Sequence, residues 1–257
     1  MPHKKWYLLI DDDTYLIKTS LHLLLEHLDP DKPQYIGNPV GDFRARFAHG
    51  GSAVMLSRPT LHALFIDHPT VAAAAHSQAI IETWGDRLLA TTLMRIGIYL
   101  DEKYARFFSG ERPLETQIRA DRFCMPLISF HGLADPKKMR EVGETFARTH
   151  EPVLWSDLWK IYHGPDFDEL TVAPVRDGWD HVGHTDESTG IAPNIKSAQS
   201  CLELCKERSD CLAWIWHRSN LSCKFGPRVI VGQKNLDASS GVIAARVRKL
   251  MDECRDV

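Results

Sequence analysis

The run "WYLLIDDDTYL", residues 6–16, constrains the fold more than any other stretch of the chain. Trp6 to Ile10 read as a buried strand. Asp11, Asp12 and Asp13 close it, and Ile17, Leu21, Leu24, Leu25 and Leu28 then recur at the spacing of one helical face, with Thr14 as the expected cap. Open α/β sheets place their ligand sites at the carboxyl ends of strands. Adjoining carboxylates repel unless a cation neutralises them. The pattern predicts an α/β domain whose acidic strand end serves a divalent ion or a phosphate chemistry.

Three chemistries use such an end. A phosphorelay receiver needs a phosphate-accepting Asp closing a later strand and a Lys beyond it; Asp67 in "LFIDHPT" is the nearest candidate, and no fitting Lys follows. A phosphohydrolase of the haloacid dehalogenase type needs Thr or Val at the position where Tyr15 stands. A D-x-D element of a nucleotide-sugar transferase needs only hard oxygen ligands for Mn²⁺ or Mg²⁺, which Asp11 and Asp13 supply. Such an ion offsets the charge that builds on a departing nucleoside diphosphate.

At 257 residues, 44% hydrophobic and 25% charged, the chain has apolar material for one good core and a smaller unit. A formal charge of -3 gives no reason to expect nucleic acid or an anionic membrane as a partner. No run approaches the roughly 20 apolar residues of a membrane span, and "MPHKKWYLLIDDD" is too polar for a signal peptide. Yet Cys201, Cys205, Cys211 and Cys223 cluster as C-x3-C-x5-C-x11-C, which points to disulfides and an oxidising compartment. Zinc is the rival reading of the cluster, weakened by the lack of C-x2-C pairs. "GPDFDELTVAPVRDG", residues 164–178, reads as a linker between domains at 1–163 and 179–250.

"DDDTYL" before a Leu-rich helix, then "YIGNP", "FAHGGSAVMLSR", "WGDRLLATTLMRIGI" and "PLISFHGL" follow in that order. Together they resemble glycosyltransferase family 31, which holds the Fringe-type and core 1 β1,3-galactosyltransferase-type enzymes. The resemblance implies a GT-A-like α/β core, a UDP-sugar donor, a glycan or glycoprotein acceptor, and inverting transfer, most simply of galactose in β1,3 linkage. It implies Asp11, Asp13 and His131 as ligands of Mn²⁺ or Mg²⁺ and Asp86 in "TWGDRLL" as the base that takes the acceptor proton. Asp12, Gly50, Gly51 and Trp84 are the expected substrate contacts, the glycines by close backbone approach. The sequence departs from the family at Gly85, where many members carry a second acid, and at His49, where a small residue is common. By the same resemblance, only one strand precedes the acidic triplet, so the N-terminal half of the nucleotide fold, a stem and a Golgi membrane anchor are expected upstream of Met1. Feeble transfer is expected of a chain without them.

The cysteine cluster resembles a PAN/apple module, a small α+β unit in which a helix is stapled to a sheet. That resemblance implies Cys201–Cys223 and Cys205–Cys211 pairs and a carbohydrate or protein ligand. Cys124 and Cys254 have no assigned partners. Asn220-Leu221-Ser222 is an N-glycosylation sequon. Two functions follow: a metal-dependent UDP-sugar transferase of the secretory lumen, or a non-catalytic binding protein carrying a PAN module and a transferase remnant.

Overall fold

Trp6–Leu9 forms strand β1, as the apolar run requires, and the acidic triplet follows directly. The computed structural model describes residues 3–42 and 45–254. It contains two compact units: residues 1–111 with 126–153, and 112–125 with 154–257. These cut across the expected boundaries at 163 and 179.

In the first unit Tyr15–Leu16 is a short strand, β2, and helix α1 spans Lys18–Glu26. The helix thus starts later than its periodicity predicts, because Tyr15 and Leu16 pair with Phe130 and Ser129 instead of joining it. Ile17 stands at the N-cap, and Thr14 has other work. Strands β3 (Tyr35–Gly37), β4 (Pro39–Asp42), β5 (Ala45–Ala48) and β6 (Val54–Ser57) follow, and a 3-10 turn over Gly50–Ser52 leads into β6. Helices α2 (Arg58–His62), α3 (Pro69–Gln78) and α4 (Gly85–Met94) come next. Asp67 lies in a helical turn and pairs with His62, away from any strand end, which leaves the receiver reading without its acceptor. Strand β7 (Ile118–Arg119) belongs to the second unit; β8 (Ser129–Phe130) and α5 (Pro136–Phe146) complete the first.

Strand β6 is buried along its whole length between β1 and β3, antiparallel to both. Because side chains alternate across a sheet, the two faces bury different partners. Ile36 and Met55 meet Leu21, Leu24 and Leu28 of the α1 region on one face. Tyr35, Val54 and Leu56 meet Ala90 and Leu93 of α4 on the other. Coverage on both sides fixes α1 and α4 relative to the strand ends, where the acidic turn lies.

In the second unit the 164–178 stretch is not an unstructured linker. Helix α6 (Asp157–Ile161) precedes it, and α7 (Phe167–Val172) lies within it. The Asp166 side chain caps α7 by accepting the Asp168 amide at 2.6 Å, and Leu170 is buried, so a capped apolar helix replaces the expected loop. Strand β9 (Arg176–Asp180) already begins in the same stretch. Strand β10 (Gly190–Ala192), helix α8 (Ala198–Glu207), β11 (Ala213–His217), β12 (Ser222–Gly226), β13 (Arg228–Val229), β14 (Gln233–Val242) and helix α9 (Ala244–Glu253) complete the unit. Five of these strands form an antiparallel sheet in the order β10-β12-β11-β14-β9, and β13 pairs with β7.

Cysteines Cys201 and Cys205 of α8 are bonded to Cys223 and Cys211, and Cys124 is bonded to Cys254. The four clustered cysteines and Trp214 are fully buried. Arg228, also fully buried, donates to Asp186 at 2.6 Å and to the His184 carbonyl at 2.8 Å, while Arg119 holds the other Asp186 oxygen at 2.8 Å. Burial pushes the Asp186 carboxyl up, but bonds from Ser188 and Arg228 and the two guanidinium charges outweigh it and hold the group well below the usual carboxylate range. This pair of a buried guanidinium and a half-buried carboxylate anchors the loop ahead of β10.

Candidate active site

An antiparallel ladder sets the site. Tyr15 lies opposite Phe130 and Leu16 opposite Ser129, so the residues just beyond the ladder, Asp13 on one strand and His131 on the other, arrive side by side. The Asp13 carbonyl accepts the Leu133 amide at 3.1 Å, and the Asp11 carbonyl accepts the Thr14 amide at 3.2 Å, closing the acidic turn. His131 donates its own amide to the Glu111 carbonyl at 3.1 Å.

The His131 Nε2 lies 3.2 Å from Asp13 Oδ1 and 3.7 Å from Asp11 Oδ2. One ligand atom from each of the three residues can be chosen so that all lie within 4.8 Å of one another. Two ligands roughly 2.1 Å from an octahedral ion and at right angles to each other are about 3 Å apart. Two carboxylates and an imidazole at these spacings fit a hard or borderline divalent ion, and the donor set suits Mn²⁺ or Mg²⁺ better than a soft metal. Asp12 is exposed and is not among the three residues that converge.

The Gly50–Ser52 turn lies against the cluster. A Cβ at Gly51 would collide with the His131 imidazole, so the space the glycine leaves is filled by the histidine and not open to a sugar. A Cβ at Gly50 would stand 3.8 Å from both Asp11 Oδ1 and Asp86 Oδ2, ordinary contact distances. The Gly50 amide donates to Asp86 Oδ2 at 3.1 Å. Asp86 occupies the first turn of α4, where the helix dipole favours a carboxylate, and its Oδ1 accepts the Arg87 amide at 2.8 Å. Asp86 is therefore held beside the acidic turn through a single glycine. Trp84 is 58% exposed and, with Gly41, Asp42, Ala45, Phe47 and Arg87, lines a cleft of about 440 Å³ on the Asp86 side.

Several contacts here carry no signal in the sequence. Thr14 Oγ1 donates to the Gly51 carbonyl at 2.9 Å, and Ser129 Oγ donates to the Ser52 carbonyl at 2.7 Å, tying the turn to both strands of the ladder. His49 meets His131 edge to face, with ring centres 5.2 Å apart. Its Nδ1 is 2.8 Å from Ser52 Oγ, which also accepts a bond from Asn38 Nδ2 at 3.1 Å. Burial pushes the His49 imidazole below its ordinary pKa and the neighbouring His131 adds to this, while Asp86, Asp11 and Asp13 pull the other way. Beneath the site the Tyr35 hydroxyl accepts the Ala48 amide at 2.7 Å, and burial pushes its pKa up to about 12. Its phenol is a structural strut. The departure at His49 was visible in the sequence; its contact with His131 was not.

The Fringe-like family model matches residues 1–163, a span holding the acidic turn, the glycine turn, Asp86 and His131 and more than half of the 257 residues, and the chain belongs to this family of glycosyltransferases.

Proposed function

We propose that the protein is a metal-dependent, inverting transferase that moves a sugar, most simply galactose, from a UDP-sugar to a glycan or glycoprotein acceptor in β1,3 linkage. The convergence of Asp11, Asp13 and His131 on one point carries this reading. These three would hold Mn²⁺ or Mg²⁺, which when bound offsets the negative charge of a diphosphate. Inversion needs one base on the acceptor side, and Asp86 has the position for it. Its carboxylate is fixed by the Gly50 and Arg87 amides, which leaves lone pairs on both oxygens to receive a hydroxyl proton. Trp84 and Phe47 give the adjoining cleft apolar faces on which a sugar ring can stack, and Arg87 adds a donor.

The second unit supports the PAN/apple-like reading of residues 179–250, since a helix carrying two cysteines is stapled at Cys223 to the sheet beneath it. Three disulfides and the family together support a secretory-pathway lumen, and the Golgi is the proposed compartment. Among the described residues no helix is long and apolar enough to cross a membrane.

Asp13→Ala and Asp86→Ala separate the two roles. Calorimetry with Mn²⁺ is expected to show binding to the wild type and to Asp86→Ala, and a loss of at least tenfold in affinity for Asp13→Ala. In a full-length context, UDP release from UDP-galactose over a panel of glycan acceptors is expected to fall by about 10²–10⁴-fold in Asp86→Ala. A wild-type chain that takes up no manganese, or an Asp86→Ala variant with undiminished transfer, overturns the proposal.

A further inference from the structure

The hairpin between β11 and β12 presents one half of a modification signal and hides the other. Asn220, Leu221 and Ser222 form the one Asn-x-Ser/Thr triplet in the sequence. Asn220 is exposed at the hairpin tip, just outside the closing pair His217–Ser222. Ser222 differs: its hydroxyl oxygen has less than 1 Å² of accessible surface and no hydrogen-bond partner. N-glycosylation specifies a hydroxyl residue at the third position, so the hydroxyl must be read along with the amide. In the folded hairpin only the amide side is available.

Nor does the folded tip yield easily. The Ser219 amide and hydroxyl donate to the Asp237 carboxylate at 3.1 and 2.6 Å. The Leu221 carbonyl accepts the Ile195 amide at 2.8 Å, and Leu221 itself sits at φ 51°, left-handed backbone that a branched-chain residue adopts only when neighbours hold it there. The Ser222 amide is taken by Asn220 Oδ1 at 3.1 Å. Immediately after it, Cys223 is fully buried and bonded to Cys201 on α8. Closing that bond pins the strand that carries Ser222 under the helix.

We propose that Asn220 carries an N-linked oligosaccharide, and that it is attached before the Cys201–Cys223 bond closes. In the transfer, Asn220 Nδ2 forms a bond to the anomeric carbon of an oligosaccharide held on a polyprenyl diphosphate. The bond from that carbon to the diphosphate oxygen breaks, the diphosphate leaves with the electron pair, and the amide gives one proton to a base of the modifying enzyme. Oxidation of the two thiols, by exchange with a protein disulfide of the lumen that takes up the two electrons and two protons and leaves as a dithiol, and glycan transfer then compete for one short segment, and occupancy records which came first. This inference is independent of the proposed transferase activity.

The test is the mass of the full chain made in a eukaryotic secretory pathway, before and after treatment with a peptide-N-glycosidase. A single glycan is expected on the wild type, converted on release to Asp at position 220 and missing in Asn220→Gln. Incomplete occupancy is expected in the wild type, rising severalfold toward completion in the Cys201→Ser/Cys223→Ser double variant. Wild type synthesised in the presence of a reductant should show the same rise, a readout on newly made chains that needs no stable folding of the variant. Absence of glycan from the wild type overturns the site. Equal occupancy in all three samples overturns the order of events.

Discussion

Gly51 is filled on its Cβ side by the His131 ring, whereas Gly50, one residue earlier, has ordinary van der Waals room beside Asp11 and Asp86. The two glycines look alike in the sequence and differ in what an added methyl would meet. Gly51→Ala must push the imidazole away from Asp13, to which its Nε2 now lies at 3.2 Å, and is expected to weaken Mn²⁺ binding by about 10–100-fold, the range for disturbed support of a ligand. Gly50→Ala is expected to bind Mn²⁺ as the wild type does; calorimetry on the pair checks both, and equal losses would show a general disturbance of the turn. That Asp11, Asp13 and His131 converge, with Asp86 held near them through Gly50, was legible because the order of short motifs marks these positions. Thr14 and Ser129 were not, because their bonds reach backbone carbonyls 37 and 77 positions away, and no local pattern encodes a partner at that separation.

Among the elements, those whose signal is local were readable. The apolar strand before the triplet and the α1 face follow from periodicity and residue type. What escaped depends on distant pairing: β2 takes two residues from the front of α1 because β8 needs a partner, and the Gly- and Pro-rich 164–178 stretch gains a helix from one cap and one buried leucine. His181, just past β9, is a further example, fully buried with Nδ1 against the Ile230 carbonyl at 3.2 Å and no partner for Nε2. Burial lowers its pKa from 6.5 to about 4. A histidine held neutral in the fold contributes nothing adverse above pH 6.5; as the pH falls toward 4 the unfolded chain binds the proton first, and stability drops. The second unit is expected to lose on the order of 3 kcal/mol across that window from this residue. His181→Phe should flatten the pH dependence of its urea midpoint, and an unchanged slope would remove His181 as the cause.

At the scale of the whole molecule, all six cysteines lie in the second unit, at 124 and from 201 to 254, and none of the three bonds reaches into the first. The first unit is held by a sheet buried on both faces, the second by a small sheet and its cross-links. Chain-entropy arguments make the longest loop the most stabilising, and the Cys124–Cys254 bond, with a sequence separation of 130, would contribute about 5 kcal/mol. Reduction should therefore divide the molecule. In calorimetric melts with a phosphine reductant, the transition of the second unit is expected to move down by more than about 10 °C, since each kcal/mol is worth between about 2 and 8 °C for domains bracketing this size. The first unit, which contains Asp11, Asp13, Asp86 and His131 and no cysteine, is expected to keep its transition and its Mn²⁺ affinity within twofold. Cys124→Ser/Cys254→Ser should reproduce about half of the shift without reductant, since the loops of 22 and 6 residues closed by the other two bonds together contribute about as much. Loss of Mn²⁺ binding on reduction would mean that the Asp11, Asp13 and His131 cluster depends on the cross-linked unit, and the division of labour argued from the two cores would fail.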